Sequence, residues 1–466
     1  MNNSVETQTH QSPRRQLNWF DSTSVIVGTI IGAGIYQSAS GVASSVTTPW
    51  ALMGLWLLGG LFSLCGAMCY AELASALPRS GGDYVYLNRA YGRWAGFVFA
   101  WLQMIVIRPG DIAIIAFAFS TYFQAFFHSS STETNGWTSF YAALAVIVLT
   151  FINILGVRQG KLAQNLLTSL KVLGLLGIVA IAFLAPEPKQ ELIIANIATS
   201  TDAANSIPIS VALIFVLFTY GGWNEMAYIA AEVKNPERNL VRSLVSGTVI
   251  VTLLYLLING AFLRVLGLSH MSHSPAIATE TVEAVFPEYG GRLVSLLICI
   301  STLGTVNGMI FAGSRISYAL GTDHRVFRLL GRWEPRTETP VCALLVQGVI
   351  TVALVVLLGS FKSAVLYTSA AVYTFYLATG FAVVILRKTA PELERPYRVT
   401  YYPIPLIVFS TMCLFLIYSA VCYRPAMTGI VFLLGLVGLI IYWLEKLALS
   451  APSESSKEVA DSQIIN

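Results

Sequence analysis

The chain has 466 residues, of which 55% are apolar and only 11% charged, and its mean hydropathy is +0.68. Soluble domains carry about 25% charged residues, so this composition excludes an ordinary soluble domain and predicts an integral membrane protein. The net charge of +4 says nothing by itself about a nucleic-acid partner, and we expect none.

Apolar segments of about 20 residues, the length that a bilayer demands, recur twelve times and predict an all-α protein with twelve transmembrane helices. Their approximate spans are 18–42, 50–77, 94–126, 138–156, 163–185, 207–231, 243–266, 291–319, 341–359, 364–387, 404–422 and 426–445. The predicted regions are a tail over 1–17, a ten-helix core over 18–387, two additional helices over 404–445, and a disordered tail over 446–466.

Lys and Arg residues are distributed unequally between the two sets of connections. If both termini are cytoplasmic, the outer connections hold only Lys189, Arg264, Arg292, Lys362 and Arg424, and most other basic residues fall on the cytoplasmic side. Because cytoplasmic connections carry an excess of Lys and Arg, we expect a multi-pass protein of the cell membrane with both termini in the cytoplasm.

Histidine and cysteine positions argue against a metal or another cofactor. The five histidines fall in predicted loops, and the six cysteines lie within or at the ends of apolar runs with no paired histidine. This pattern indicates packing rather than a metal site or a disulfide framework. The membrane-depth segments also lack a buried histidine, paired catalytic carboxylates or a Ser/His arrangement, so we expect neither a cofactor nor an enzyme.

The first span carries three glycines within residues 28–36 (GTIIGAGIY). A glycine inside a helix costs roughly 1 kcal/mol relative to alanine, so this stretch favours an unwound backbone. Irregular backbone at membrane depth is tolerated only where it is buried in protein or lines a cavity, which makes the stretch a candidate binding site. Close helix packing through small residues is the alternative, and these residues alone do not separate the two.

The sixth span has a comparable interruption, over residues 218–224 (FTYGGWN). The two interruptions correspond if spans one to five, over 18–185, repeat as spans six to ten, over 207–387. Since five is odd, the two copies have opposite orientations in the membrane. Interrupted helices at matching places in inverted halves are typical of a transporter's binding site.

Four ionisable residues lie at membrane depth, where charges are costly and suggest function. Lys171 is either a snorkelling lysine or a fixed cation that ties the fifth span to a broken helix. Arg108 and Asp111 are three residues apart and are predicted to form a structural ion pair beside Pro109. Glu225 follows the second interruption and is either a proton-titrating group or a salt-bridge partner.

Together these segments resemble the amino acid–polyamine–organocation (APC) superfamily, and within it the L-type amino acid transporter (LAT) group. The matching motifs are residues 28–36, 78–86 (PRSGGDYVY), 107–109 (IRP), 218–224, 232–239 (EVKNPERN), 306–308 (VNG), 314–315 (SR) and 391–396 (PELERP). Their order and spacing are specific, and the likeness covers residues 18 to 445.

The resemblance implies a LeuT-type fold, in which helices 1 and 6 of a 5+5 inverted repeat are broken and helices 11 and 12 are additional. It also implies that an amino acid is held mostly by backbone groups. The half-helix after the first break offers amides and a positive dipole end to a carboxylate, and the second break offers carbonyls to an ammonium. The candidate amides are those of Gly32, Ala33 and Gly34, and the candidate carbonyls those of Ile30, Phe218 and Gly221.

By the same resemblance, Phe218 is a gate over the site, and the predicted site is completed by Thr29, Ile31, Thr219, Gly222, Asn224 and Tyr255. Tyr255 could equally have a packing role. Thr219 stands where relatives often have a smaller residue, which favours a narrow pocket for small neutral amino acids.

The resemblance also gives Lys171 a role, as a stand-in for a bound sodium ion between helices one, five and eight, and so implies sodium-independent transport. Animal LAT proteins bind a heavy chain through a cysteine in the loop before helix four. Residues 128–136 of this chain contain no cysteine, so no disulfide-linked heavy chain is expected.

The function expected from the sequence is exchange of small neutral L-amino acids by alternating access, with the amino acid and the lipid bilayer as partners. A proton-coupled symporter that uses Glu225 is the alternative within this class. A membrane amino-acid sensor is the alternative from another class, and the short predicted tails argue against it.

Overall fold

The computed structural model describes residues 17–78, 81–127, 137–156, 161–184, 207–228, 230, 233–287 and 289–450. These residues are mainly helical and contain no extended strand. Most of the two predicted tails and the loop over 128–136 lie outside the described residues.

The first half of the chain forms eight α-helices, and a short π-helical segment at Gln103–Ile107 joins the fifth to the sixth. Helix α1 begins after Asn18, whose side chain accepts the Asp21 amide while the Asp21 carboxylate accepts the Asn18 amide. This reciprocal capping fixes the start of the first membrane segment. The helices are α1 (Trp19–Ile30), α2 (Gly34–Ala43), α3 (Pro49–Ala76), α4 (Asp83–Tyr91), α5 (Arg93–Leu102), α6 (Arg108–Phe127), α7 (Trp137–Ile154) and α8 (Lys161–Leu184).

The second half continues with nine more helices and a short 3₁₀ turn at Arg325–Phe327. Helix α11 contains a kink at Gly267, which has a positive φ of 72°. The helices are α9 (Ile209–Thr219), α10 (Glu225–Tyr228), α11 (Pro236–His273), α12 (Ile277–Glu283), α13 (Gly290–Asp323), α14 (Val341–Leu358), α15 (Phe361–Thr389), α16 (Ile404–Tyr423) and α17 (Pro425–Ser450).

Within the described ranges, nine helices are long and apolar enough to cross a membrane, and ten spans result if α1 and α2 are counted as one bent span. Two shorter apolar helices, Ser169–Leu184 and Ile209–Thr219, add to these. The prediction of an all-helical, multi-pass membrane protein is therefore confirmed.

Close helix contacts in this bundle depend on small residues. Helix α11 packs along α3, and Gly60 of α3 lies so near Thr252 of α11 that an added Cβ would stand 2.4 Å from the threonine Oγ1. A second group is formed where α13 packs along α6, with α7 and α14 beside them. Two helix groups therefore face each other, and the site described below lies between them.

A buried carboxylate joins α3 to the end of α15. Glu72 is almost fully buried and accepts two hydrogen bonds from the Arg387 guanidinium, at 2.8 and 2.6 Å. The Val399 amide donates to the same carboxylate at 2.8 Å. Glu72 therefore fixes one end of α15 and the segment that follows it against the bundle.

Replacing Glu72 by glutamine is expected to lower the free energy of unfolding by about 1.5–3 kcal/mol, because the buried carboxylate loses its charge-assisted hydrogen bonds to the partly exposed Arg387 guanidinium. Chemical denaturation of the purified protein in detergent measures the change. The control is Glu392→Gln, the same substitution at an exposed position of the following loop, which should change stability by less than about 0.5 kcal/mol. Equal effects of the two substitutions would contradict the assignment.

Candidate functional site

The first interruption separates α1 from α2 by a 50° bend. Helix α1 ends at Ile30, and the Ile31 amide makes its closing bond to the Val27 carbonyl at 2.9 Å. Ile31, Gly32 and Ala33 lie between the helices. The interruption predicted from the glycine pattern is therefore present.

The bend leaves amide groups at the start of α2. The amides of Tyr36 and Gln37 donate to the Ala33 carbonyl, at 3.2 and 3.1 Å, and begin the hydrogen bonding of this helix. The amides of Gly32 and Gly34 precede these bonds, together with the Ala33 amide. A helix start of this kind attracts an anionic group such as a carboxylate.

The second interruption separates α9, which ends at Thr219, from the short helix α10, which begins at Glu225. The Gly221 amide donates to the Phe218 carbonyl at 2.9 Å, and the Glu225 amide donates to the Gly222 carbonyl at 3.1 Å. Gly222 has a φ of +107°, a backbone conformation that side chains with a Cβ rarely adopt. The second predicted interruption is therefore present as well.

The two interruptions contact each other. A Cβ added to Gly222 would lie 3.2 Å from the Thr29 carbonyl oxygen, and one added to Gly34 would lie 3.4 Å from the Thr219 Cα. At Gly222, where φ is also positive, glycine is needed for this approach, whereas the distance at Gly34 is an ordinary van der Waals contact. Residues nearly 190 positions apart thus form one site.

Tyr255 of α11 joins the ends of α1 and α9. Its hydroxyl lies 2.9 Å from the Ile30 carbonyl oxygen and 3.0 Å from the Thr219 carbonyl oxygen. Since the hydroxyl has one proton, the two carbonyls share it. Tyr255 is fully buried and supports the site from behind.

Replacing Tyr255 by phenylalanine is expected to weaken substrate binding by about fivefold to tenfold, since one hydrogen bond that holds both helix ends is worth about 1 kcal/mol. The prediction is tested by measuring how much each amino acid stabilises the purified protein when it binds. Tyr91→Phe is the control, because the Tyr91 hydroxyl donates to the Ala378 carbonyl of α15 and Tyr91 does not line the cavity. The same loss in both variants would contradict a specific role for Tyr255.

A cavity of about 560 Å³ lies at the two interruptions. Most of the predicted site residues line it, whereas Ile31, Ala33 and Tyr255 are not among its lining residues. The predicted residues in the lining are Thr29, Ile30, Gly32, Gly34, Arg108, Asp111, Lys171, Phe218, Thr219, Gly221, Gly222, Asn224 and Glu225.

Several polar side chains at the cavity are already engaged. The Thr29 hydroxyl donates to the Val25 carbonyl at 2.6 Å, and the Thr219 hydroxyl donates to the Phe215 carbonyl at 2.8 Å. These hydroxyl oxygens keep acceptor capacity but no free proton. The threonines therefore shape the cavity more than they add hydrogen-bond donors to it.

Phe218 lies at the cavity beside a second aromatic residue. Its ring is 5.9 Å from the ring of Phe361, edge to face, at the first residue of α15. Such aromatic pairs are favourable beyond the area that they bury. Phe218 is therefore placed where its ring could cover the cavity at the end of α9.

Lys171 is buried at the cavity, with 8% of its surface exposed. Its Nζ donates to the Thr305 Oγ1 of α13 at 2.8 Å, and the Thr305 hydroxyl donates to the Ser301 carbonyl at 3.0 Å. The ammonium thus points into the protein, which argues against the snorkelling alternative. It links α8 to α13 beside Thr29 of α1 in the cavity lining.

Arg108 and Glu225 form an ion pair across the cavity, with 2.8 Å between the Arg108 Nη2 and the Glu225 Oε1. The sequence prediction paired Arg108 with Asp111 and left the partner of Glu225 open. That prediction did not include the contact between α6 and α10, because only the tertiary structure brings residues 117 positions apart together.

Sequence reasoning missed Thr305, Tyr376 and Gln103, all of which line the cavity. The Tyr376 hydroxyl donates to the Asn224 Oδ1 at 3.1 Å. Gln103 begins the π-helical segment, a feature frequent at functional sites. A polar residue within an apolar span was the available signal for Gln103 and Thr305, whereas nothing marked Tyr376 among 21 tyrosines.

Among the residues that the structure describes, no group of three or more His, Cys, Asp or Glu side chains could hold a metal ion. The cavity is instead lined by peptide groups from two broken helices and by a few fixed charges. This arrangement, within a multi-pass helical bundle, is typical of membrane transport proteins.

The chain belongs to the amino acid permease family, whose family model matches residues 17–442, and it is an amino acid transporter of the LAT group in the APC superfamily. It is 33% identical to the b(0,+)-type amino acid transporter 1 of Mus musculus over 439 residues, which cover 93% of this chain and 88% of the relative. It is 30% identical to the serine/threonine exchanger SteT of Bacillus subtilis over 92% of this chain and 96% of the relative. It is 29% identical to the large neutral amino acids transporter small subunit 2 of Homo sapiens over 92% of this chain and 80% of the relative.

Proposed function

We propose that this protein exchanges small neutral L-amino acids across the cell membrane, without sodium, by alternating access. The observation that carries the proposal is the contact between the two helix interruptions at one cavity. Peptide groups of opposite polarity converge there, with amides at the start of α2 and carbonyls at the end of α9. A zwitterion complements both.

The fold that we propose for this activity is the LeuT-type 5+5 inverted repeat over 18–185 and 207–387, with two additional helices over 404–445. The bend of 50° in the first span and the break after Thr219 in the sixth span occupy corresponding places in these halves. Helix α8 and the pair α9–α10 are each counted as one further span, which brings the number of membrane spans from ten to twelve. Both termini are then on the same side, which the Lys and Arg distribution assigns to the cytoplasm.

Substrate recognition is assigned to the backbone. The amides of Gly32, Ala33 and Gly34 bind the carboxylate, and the carbonyls of Phe218 and Gly221 bind the ammonium. The Phe218 carbonyl already accepts the Gly221 amide and the Ile30 carbonyl the Tyr255 hydroxyl, but a carbonyl oxygen has a second lone pair, so both remain candidates. Phe218 then closes the cavity above the bound amino acid.

The preference for small side chains is assigned to Thr219. Its Cα and Oγ1 lie 3.4 Å from the position of a Cβ on Gly34, so it fills the space beside the carboxylate site. One methyl group discriminates by only about 1–3 kcal/mol, so selectivity should be graded rather than absolute. Among the relatives, the name of the serine/threonine exchanger agrees with a small substrate, whereas that of the large neutral amino acids transporter small subunit 2 does not, so this preference depends on Thr219.

Sodium independence is assigned to Lys171. A fixed ammonium with a hydrogen bond to Thr305 occupies a position between α1, α8 and α13, so a bound cation is not needed there. Because residues 128–136 contain no cysteine, we propose a transporter without a disulfide-linked heavy chain.

The decisive experiment is uptake into proteoliposomes that contain the full-length protein. Uptake of labelled serine is expected only when an amino acid is present inside, and it should be equal in sodium and choline buffers. Alanine, serine and threonine should compete, whereas arginine and bulky aromatic amino acids should not. Competition by arginine or tryptophan with no competition by alanine would contradict the assignment of size.

Proton symport through Glu225 is the second candidate, because Glu225 lines the cavity and its side chain is 34% exposed. The ion pair with Arg108 accounts for Glu225 without a coupled proton and favours exchange. Uptake into empty vesicles that is driven by a pH gradient and abolished by Glu225→Gln would establish symport instead.

A further inference from the structure

We propose that Arg108 alternates between two carboxylates, Glu225 and Asp111, as the two helix groups move during the transport cycle. The inference rests on the proposed function, because it assigns residues to the conformational step of alternating access. It concerns charged side chains of the cavity wall that recognition of the amino acid does not use.

The first observation is that the Arg108–Glu225 pair connects the two helix groups. Helix α10, which carries Glu225, packs on α1 and α3, whereas α6, which carries Arg108, packs on α7, α13, α14 and α15. The cavity lies between α10 and α6. A movement of α10 away from α6 therefore lengthens the 2.8 Å contact between Arg108 and Glu225.

The second observation is that Asp111 offers another acceptor on the same helix as Arg108. It lies one turn further along α6 and lines the same cavity, within electrostatic range of both Arg108 and Glu225. Among the described residues, no side-chain hydrogen bond of Asp111 occurs in this arrangement. Residues three apart on a helix can pair, and Asp111 moves together with Arg108 whatever α10 does.

The third observation concerns the backbone at Arg108. The π-helical segment Gln103–Ile107 ends directly before it, and Pro109 follows it. A π-helical turn and a missing proline amide both loosen the regular hydrogen-bond ladder. The Arg108 side chain can therefore turn from one carboxylate to the other with a small backbone adjustment.

The physical consequence is a guanidinium that keeps a carboxylate in both arrangements. The Arg108 side chain is 9% exposed, so separation from the Glu225 carboxylate costs free energy that water cannot fully return. A second acceptor lowers this cost in the separated arrangement. The two carboxylates thus set the balance between the two arrangements. Pairing with Glu225 stabilises the arrangement seen here, and pairing with Asp111 stabilises the separated one.

The test uses two near-isosteric variants of the full-length protein in lipid nanodiscs, Asp111→Asn and Glu225→Gln. Hydrogen–deuterium exchange is measured without substrate on peptides that cover residues 220–228. Asp111→Asn should slow deuterium uptake there at least threefold, because the charge that would draw Arg108 away from Glu225 is removed. Glu225→Gln should accelerate uptake at least threefold, because Arg108 then favours Asp111.

Transport gives the second measurement. Asp111→Asn and Glu225→Gln should each lower the amino acid exchange rate at least tenfold. Asp111→Glu keeps the carboxylate, so its exchange rate should stay within about threefold of the wild-type rate. Glu445→Gln is the matched control, since it removes a carboxylate charge outside the cavity, where Glu445 contacts His324 and accepts the Arg325 amide. Glu445→Gln should leave deuterium uptake at residues 220–228 unchanged.

Shifts of deuterium uptake in the same direction for both variants, or no shift for Asp111→Asn, would overturn the proposal. Thermal denaturation of each variant separates these results from simple unfolding. Deuterium uptake needs no substrate, so a wild-type protein that exchanges no amino acid would refute the proposed function and leave this test intact.

Discussion

Replacing Lys171 by methionine is expected to reduce amino acid exchange at least tenfold while leaving the protein as stable as the wild type or more so. Methionine fills nearly the same volume but removes the ammonium that donates to Thr305. The loss is expected because the fixed positive charge, rather than its hydrogen bond to Thr305, takes the place of a bound cation, and a tenfold change in rate corresponds to about 1.4 kcal/mol. Replacing a buried charge by an apolar residue of similar size is often neutral or stabilising.

A loss of exchange without a loss of stability separates an effect on transport from an effect on folding. Exchange is measured in proteoliposomes, and stability by thermal denaturation in detergent. Thr305→Val is the control, because it removes only the acceptor and keeps the cation, so its loss of exchange should be smaller than that of Lys171→Met. A methionine variant that exchanges amino acids at the wild-type rate would show that the charge is not used.

Replacing Gly222 by alanine is expected to weaken substrate binding at least tenfold. At a φ of +107°, a residue with a Cβ carries a strain of about 1–3 kcal/mol. The new Cβ would also stand 3.1 Å from the Thr29 Cγ2 and 3.2 Å from the Thr29 carbonyl oxygen. The second interruption would have to move away from the first, and the groups that bind the two ends of the amino acid would separate.

Gly177→Ala provides the control for Gly222→Ala. Gly177 lies within α8, and nothing stands within 4 Å of the position of its added Cβ. This variant should bind substrate normally and gain up to about 1 kcal/mol of stability, because alanine favours the helix. Titration of both variants with serine and alanine compares them directly. Wild-type affinity in Gly222→Ala would contradict the close contact of the two interruptions.

The fold class was predictable because a bilayer imposes a length on every crossing segment. Residues 341–359, for example, form a predominantly apolar run, and the structure places α14 at Val341–Leu358. The interruption over 28–36 was also predictable, since three glycines within a membrane segment weaken a helix. The sixth span showed the same signal at Gly221 and Gly222.

The partners of the charged residues were not predictable in the same way. The spacing of Arg108 and Asp111 suggested a local pair, but the structure shows a pair between Arg108 and Glu225. Periodicity along one helix gives only contacts within that helix. The hydrogen bonds of Tyr255 to Ile30 and Thr219 lacked a sequence signal for the same reason, since they span 225 and 36 positions.

The sequence by itself determined that this protein crosses the membrane many times, that two of its segments are interrupted, and that its family transports amino acids. Each of these follows from local composition, glycine placement or motifs that are contiguous along the chain. Only the tertiary structure decided that the two interruptions touch, that Lys171 points inward to Thr305, and that Arg108 pairs with Glu225. The reason is that these contacts depend on how helices pack against one another. The sequence of a single segment does not determine its distance to residues of another helix.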